Sequence, residues 1–168
     1  MKRQAKKYIY LGLGGIVPFL YFISPNWISI YGIQPNWGII WLLPWAIEEG
    51  PILGMLGGLS CSLLLDSVLA QSVTQIPSFV LLGYWWGRIG FKGPLIENSF
   101  SLGLLVFIGS FFNGLIIWLQ QTLLLQNERI YLFNISIFQI LITETIVTAI
   151  LAPMICSCAL LSFFRKKN

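Results

Sequence analysis

The sequence is 168 residues long, and 57% of its residues are hydrophobic while only 10% are charged. Soluble domains carry about 25% charged residues, so this chain has too few polar side chains to cover a water-soluble core. Its mean hydropathy of +0.80 and its apolar stretches, several of about 18 residues or more, are typical of chains that cross a bilayer. The composition excludes a sizeable soluble domain and predicts one transmembrane domain over residues 1–168.

The formal net charge of +4 does not indicate a nucleic-acid partner. The basic residues concentrate at the chain ends and in one short loop, where they suit the anionic headgroups of membrane lipids. The chain contains no histidine, and its three cysteines lie in apolar runs without a CxxC pair. We therefore predict no metal site, no structural disulfide and no cofactor. A Walker loop and a GxSxG motif are also missing, so we predict that the protein is not an enzyme.

Charges, prolines and turn residues divide the chain into six apolar segments, which we predict to form an all-α integral membrane bundle of six transmembrane helices. The segments cover about residues 8–24, 36–47, 51–69, 75–90, 99–125 and 134–163. The first follows the basic stretch MKRQAKK but lacks the small-residue cleavage site of a signal peptide, so we expect it to be retained as a span. The second is short and contains Pro44, which favours a kinked or tilted helix.

An even number of spans places both termini on one side of the membrane. With the termini inside, only Arg129 of the ten basic residues lies outside, as the positive-inside rule requires. We predict a multi-pass protein of the bacterial cytoplasmic (inner) membrane with both termini cytoplasmic. The residues expected to determine this topology are Lys2, Arg3, Lys6, Lys7, Arg88, Lys92, Arg165, Lys166 and Lys167.

The third segment carries a stripe of small residues that ends on an acid. Gly54, Gly58, Ser62 and Asp66 recur every fourth residue, so they share one face of a helix. Helices in lipid associate where small residues let their backbones approach closely. We predict that Gly54, Gly58 and Ser62 form a packing face for a partner helix, with Asp66 near its outer end.

Three polar residues are expected inside the membrane: Asp66, Asn113 and Glu144. A carboxylate at that depth costs about 3 kcal/mol or more unless it is paired or wetted, so these side chains should face the bundle interior or a partner. Two interpretations of Asp66 stay open, a buried functional acid or an acid at an interfacial helix end. The role of Glu144 is likewise open between function and structure, and its candidate hydrogen-bond donors are Asn113, Gln120 and Gln139.

The region around the stripe resembles the rod shape-determining protein family MreD over about forty residues. The matching residues are Trp45-Ala46, Gly50-Pro51, Gly54, Gly58-Leu59, Leu63-Leu64, Asp66, Tyr84 and a late Ala152-Pro153. This chain departs from the family pattern at Ser62, Ala70 and Thr74, where the family usually has glycine. The first change keeps a small residue, whereas the other two alter the turn after the third segment.

The resemblance implies a non-enzymatic scaffold of the complex that directs lateral peptidoglycan synthesis and cell shape. The implied direct partner is an MreC-like membrane protein. Through the complex, the family is also linked to MreB, a RodA-type glycosyltransferase and a class B penicillin-binding protein. As a physical hypothesis, the face from Gly54 to Ser62 would dock the partner's single span and Asp66 would hydrogen-bond near its outer end.

A second function stays open, because the family resembles the substrate-binding components of vitamin (ECF-type) importers in span number and helix arrangement. The protein would then bind a small molecule in a polar pocket lined by Asp66, Asn113 and Glu144. Such components usually carry an AxxxA-type motif in their first span, where this chain has only Gly12, Gly14 and Gly15. A channel or permease has less support, since no run of polar pore-lining residues recurs across the segments.

Overall fold

A computed structural model describes residues 33–69, 73–92, 99–124 and 135–160, together with Gly12, Gly15 and Val17. These ranges contain the helices α1 (Trp37–Glu49), α2 (Pro51–Leu69), α3 (Ile76–Lys92), α4 (Ser99–Leu124) and α5 (Ile135–Ala159). No β-strand occurs in the described ranges, which confirms the predicted all-helical class for this part of the chain. Most of the predicted first span lies outside the described residues, as do the basic residues of both termini.

Three of the helices are long and apolar enough to cross a membrane. The qualifying stretches are Pro51–Val68 in α2, Phe100–Leu123 in α4 and Gln139–Ala159 in α5. At 1.5 Å per residue, α4 alone is about 39 Å long, which exceeds the ~30 Å hydrocarbon core of a bilayer. These helices are consistent with a membrane protein, while the count of six spans and the orientation of the termini stay predictions.

The short helix α1 lies at the centre of the bundle. Gly38 to Ile40 and Leu42 to Ile47 are all buried, as expected of a helix that is apolar on every side. The Trp45 indole nitrogen donates to the Leu53 carbonyl of α2 at 3.1 Å. Gly57 makes room for this ring, since a Cβ atom there would come within 2.6 Å of it. The second apolar segment is thus a core helix packed directly on α2.

Pro44 lies inside α1, and the helix continues past it to Glu49. Proline has no N–H, so the carbonyl four residues earlier, that of Ile40, loses its helical donor. The Cys156 thiol of α5 donates to this carbonyl at 3.5 Å. Pro44 therefore leaves a backbone carbonyl of α1 without its helical donor, and a side chain of α5 donates to it.

Helices α2 and α3 form an antiparallel hairpin in which backbone meets backbone. A Cβ atom at Gly54 would overlap the carbonyl oxygen of Gly83, and one at Gly58 would overlap the carbonyl oxygen of Phe79. The stripe on α2 does pack closely against a helix, but that helix is α3 of the same chain. The prediction that Gly54 and Gly58 dock a partner's span is wrong, because α3 already fills the space a foreign backbone would need. The third stripe residue, Ser62, is fully buried.

The turn between α1 and α2 also depends on glycine. Gly50 has φ +90°, a left-handed conformation that glycine adopts without steric cost. Its amide closes α1 by donating to the Ala46 carbonyl at 3.1 Å. Gly87 of α3 lies so close that a Cβ atom on it would be 2.5 Å from the Gly50 carbonyl carbon. Helices α1, α2 and α3 therefore meet tightly at this end of the bundle.

Helices α4 and α5 form a second antiparallel pair. Gly114 lies against Leu141, and Gly103 lies against Pro153. On the other side of α4, Gly109 receives the ring of Trp86 from α3. These contacts place α1, α3 and α5 in one direction and α2 and α4 in the other. We call the end where α1, α3 and α5 begin the Asn36 end, and the opposite end the Gly50 end.

Candidate functional site

Most buried polar side chains of the described chain lie between the Asn36 end and the middle of the bundle. We call this group the polar layer: Asn36, Gln75, Ser78, Ser110, Asn113, Glu144, Thr145 and Thr148. All of these side chains are buried except Glu144, which is half-buried. Polar groups are costly in an apolar interior unless they are hydrogen-bonded, so the partners of each member indicate what it does.

Glu144 is hydrogen-bonded to Asn36, the N-cap residue directly before α1. Its Oε1 atom accepts a hydrogen bond from Asn36 Nδ2 at 3.0 Å. Asn36 Oδ1 in turn accepts from the Ile39 amide at 3.2 Å, which caps the N-terminus of α1. One asparagine therefore satisfies the first turn of α1 and holds the carboxyl group of α5.

Thr148 completes this cluster. Its hydroxyl accepts from the Asn36 backbone amide at 3.0 Å and donates to the Glu144 carbonyl at 2.6 Å. The structure thus shows Asn36 as the donor to Glu144, in place of the donors expected from the sequence. The sequence contained a signal for the capping role of Asn36, because an asparagine directly before an apolar helix is the usual N-cap pattern. That pattern does not identify Glu144 as a second partner.

Asn113 joins α4 to α3. The Ser78 hydroxyl donates to Asn113 Oδ1 at 2.5 Å and also lies 2.8 Å from the Gln75 carbonyl. Both Asn113 and Ser78 are almost completely buried. The predicted intramembrane residue Asn113 therefore faces the bundle interior, where its partner is a serine that the sequence analysis did not single out.

Asp66 caps the start of α3. Both carboxylate oxygens accept from the Gln75 amide, at 3.1 and 3.2 Å. The neighbouring Thr74 hydroxyl accepts from the Ile76 amide at 3.0 Å. Amides at a helix N-terminus lack intrahelical acceptors, and an anion is favoured there by the helix dipole. Of the two interpretations left open for Asp66, these contacts favour the acid at a helix end.

Asp66, Asn113 and Glu144 are thus each bound to a different partner. Asp66 holds the amide before α3, Asn113 holds Ser78, and Glu144 holds Asn36. Of the predicted topology residues, Arg88 is described with its side chain, which is exposed and lies 3.5 Å from the Tyr84 hydroxyl. Ser62 donates to the Leu59 carbonyl of its own helix at 3.0 Å. Asp66, Asn113 and Glu144 each link two helices, whereas the bonds of Arg88 and Ser62 lie within their own helices.

Replacing Asp66 separates its capping role from its charge. Asp66→Ala is expected to lower the free energy of unfolding by about 1 kcal/mol, because the amide before α3 loses its acceptor. Asp66→Asn keeps an acceptor oxygen and should lose less. Unfolding of the purified protein by SDS titration measures both. Ser67→Ala is the control, because the exposed Ser67 hydroxyl bonds only within α2. An equal loss for both Asp66 variants would contradict capping and indicate a requirement for the charge.

No family model, curated protein or solved structure matches this chain.

Proposed function

We propose that this protein is a non-enzymatic membrane scaffold of the MreD type, acting in the bacterial cell-elongation complex. The observation that carries the proposal is the common role of Gly54, Gly58 and Asp66. The two glycines let α3 lie directly on α2, and Asp66 caps the start of the same α3. Residues of the MreD-like pattern thus work together to build one closely packed hairpin, which suits a protein that acts by presenting a surface.

Other residues of the pattern support the same interpretation. Trp45 bonds to α2, and the Gly50-Pro51 turn lies directly against Gly87 of α3. Ala152 is fully buried, and Pro153 packs against Gly103 of α4. Each of them fixes a helix against its neighbour.

The direct partner in this proposal is an MreC-like membrane protein, and the links to MreB, a RodA-type glycosyltransferase and a class B penicillin-binding protein are indirect. Because α3 occupies the glycine face of α2, the partner's span must meet a different surface of the bundle. The protein would lie in the cytoplasmic (inner) membrane with six spans and both termini cytoplasmic.

Site-specific photo-crosslinking in the native host tests the partner. A photoreactive residue is placed at one exposed position on each of α2 to α5: Leu56, Leu81, Leu104 and Ile150, which are 57%, 52%, 50% and 64% exposed. The fully buried Leu42 of α1 is the control position. We expect the MreC-like protein to be captured from at least one exposed helix and not from Leu42. Depletion of the protein should also turn rod-shaped cells round. Rod-shaped depleted cells without any such crosslink would refute the proposal.

The competing function is a binding component of an importer. It predicts co-purification with transporter ATPases, and loss of uptake rather than of cell shape on depletion. The gene neighbourhood gives a rapid discriminator. Adjacent genes for MreB-like and MreC-like proteins favour the scaffold, whereas an adjacent pair of transporter ATPase genes favours the importer.

A further inference from the structure

The last two turns of α3 present aromatic and basic residues on the side that faces away from α2. Gly83 marks the opposite side, where it packs on the backbone of Gly54 in α2. At about 100° per residue, Arg88 lies about 140° around the helix from Gly83. Tyr84, Trp85 and Arg88 are all exposed, so these side chains meet whatever surrounds the bundle at its Gly50 end.

The residues on this side of α3 change in character along the helix. Leu81 is 52% exposed, and Tyr84 and Trp85 after it are 41% and 40% exposed. Arg88 follows, and Lys92 is the last residue of α3. Spacings of three and four residues place all five on one side of the helix, which we call the outer face of α3. Over about 16 Å, this face passes from apolar through amphipathic to cationic, the order of acyl chain, glycerol and phosphate in a phospholipid.

The charge of Arg88 is not neutralised by the part of the chain that the structure describes. Its Nη1 atom lies 3.5 Å from the uncharged Tyr84 hydroxyl, and none of the described acids forms an ion pair with it. The described acids at this end, Glu48 and Glu49, belong to the end of α1. Helix α1 packs on α3 at Gly90, which lies about 160° around the helix from Arg88. The positive charge is therefore open to an anion from outside the chain.

Tyr84 and Arg88 can donate hydrogen bonds to the same group. A guanidinium has five N–H donors in a planar fork that matches the oxygens of a phosphate. In the contact with Arg88, the Tyr84 hydroxyl can serve only as the acceptor, because a guanidinium has no acceptor atom. The hydroxyl therefore keeps its own hydrogen for another partner. Both donors belong to exposed side chains, so a phosphate beside α3 can reach both.

We propose that the outer face of α3 binds one anionic phospholipid, with its phosphate at Arg88 and Tyr84 and an acyl chain along Leu81. Trp85 lies between these two ends, at the level of the glycerol, where amphipathic rings are favoured. A lipid with net negative charge is selected because a cationic headgroup group would be repelled by Arg88. In the predicted orientation the Gly50 end is cytoplasmic, and the cytoplasmic leaflet carries a negative surface potential.

Native mass spectrometry of the purified protein in detergent tests this site. The protein is mixed with equal amounts of phosphatidylglycerol, which is anionic, and phosphatidylcholine, which is zwitterionic, with the same acyl chains. We expect the original protein to retain phosphatidylglycerol in preference. Arg88→Gln should bind about fivefold less of it, as expected for one basic side chain at an anionic surface. Tyr84→Phe removes only one donor and should lose less. The proposed scaffold function is not needed for this binding, and a failed lipid test leaves it unchanged.

Arg165→Gln is the matched control, because it removes the same charge from the basic residues after α5. We expect it to retain phosphatidylglycerol like the original protein. Equal losses in Arg88→Gln and Arg165→Gln would show a general attraction to positive charge and overturn the proposal. Equal retention of the two lipids by the original protein would overturn it as well. Excess inorganic phosphate should leave the lipid bound, and displacement by it would show that the site takes the phosphate ion alone.

Thermal unfolding in the same detergent gives a second readout. A ligand that binds the folded protein alone raises its Tm. Phosphatidylglycerol should raise the Tm of the original protein more than phosphatidylcholine does, and Arg88→Gln should abolish this difference. Arg88→Lys keeps the charge but loses the planar fork, so we expect it to keep part of the difference. An undiminished difference in Arg88→Gln would contradict a site at this residue.

Discussion

Gly58→Leu is expected to separate α3 from α2 and to lower the free energy of unfolding by about 3 kcal/mol or more. A Cβ atom at Gly58 meets the Phe79 carbonyl oxygen and carbon, which are backbone atoms. They cannot rotate away as the end of a flexible side chain can. The remaining atoms of a leucine side chain would force the two helices apart along the whole hairpin.

The measurement is unfolding of the purified protein by SDS titration, with Gly58→Ala as a smaller step in the same direction. Gly12→Ala provides the matched control, because a Cβ atom there would meet no atom of the described residues within 4 Å outside its own turn of helix. We expect Gly58→Leu to be the most destabilised, Gly58→Ala intermediate and Gly12→Ala close to the original protein. A Gly58→Leu protein of unchanged stability that loses its membrane partner would instead show that the glycine face docks a foreign helix.

Asn36→Ala is expected to lower the free energy of unfolding by about 2–4 kcal/mol, by two additive losses. The first turn of α1 loses its cap, which costs about 1 kcal/mol, and the Glu144 carboxyl oxygen loses its donor, which costs about 1–3 kcal/mol. Asn36 is buried and Glu144 is half-buried, so water replaces the missing amide only in part.

Two variants separate these losses. Asn36→Ser keeps a capping oxygen but is too short to hold Glu144, so it should recover only the cap. Asn36→Asp also caps α1 but faces the carboxyl group of Glu144 with a second carboxyl group, so we expect it to be less stable than Asn36→Ser. In a double-mutant cycle, Asn36→Ala should cost less when Glu144 is already leucine. Strict additivity in the cycle would contradict the link between α1 and α5.

Helix positions were largely predictable from the sequence because their signals are local. The predicted third segment, residues 51–69, has the same bounds as α2, and the fifth, residues 99–125, ends one residue beyond α4. Proline after glycine marks the start of α2, and the apolar run ends where turn residues begin. The stripe of Gly54 and Gly58 likewise indicated close packing, since small residues have that effect wherever they occur in lipid.

The partners of these residues were not predictable, because they depend on how distant segments come together. Any helix that presents small residues can pack on the glycine stripe, so the stripe alone does not distinguish a helix of the same chain from a partner's helix. A complementary signal was present in α3, where Gly83, Gly87 and Gly90 also lie on one face. Asn36 and Glu144 are 108 residues apart, and no local pattern joins them.

The bond from Cys156 to the Ile40 carbonyl links two positions that are remote in the chain. The bond is possible because Pro44 has no N–H, so the Ile40 carbonyl oxygen has no helical donor. We therefore expect substitutions at positions 44 and 156 to be correlated among related chains. Where residue 44 is not proline, its amide can donate to the carbonyl of residue 40. We then expect residue 156 to tolerate any small apolar side chain. Wherever the ring persists, residue 156 stays limited to side chains that can donate a hydrogen, such as cysteine, serine or threonine.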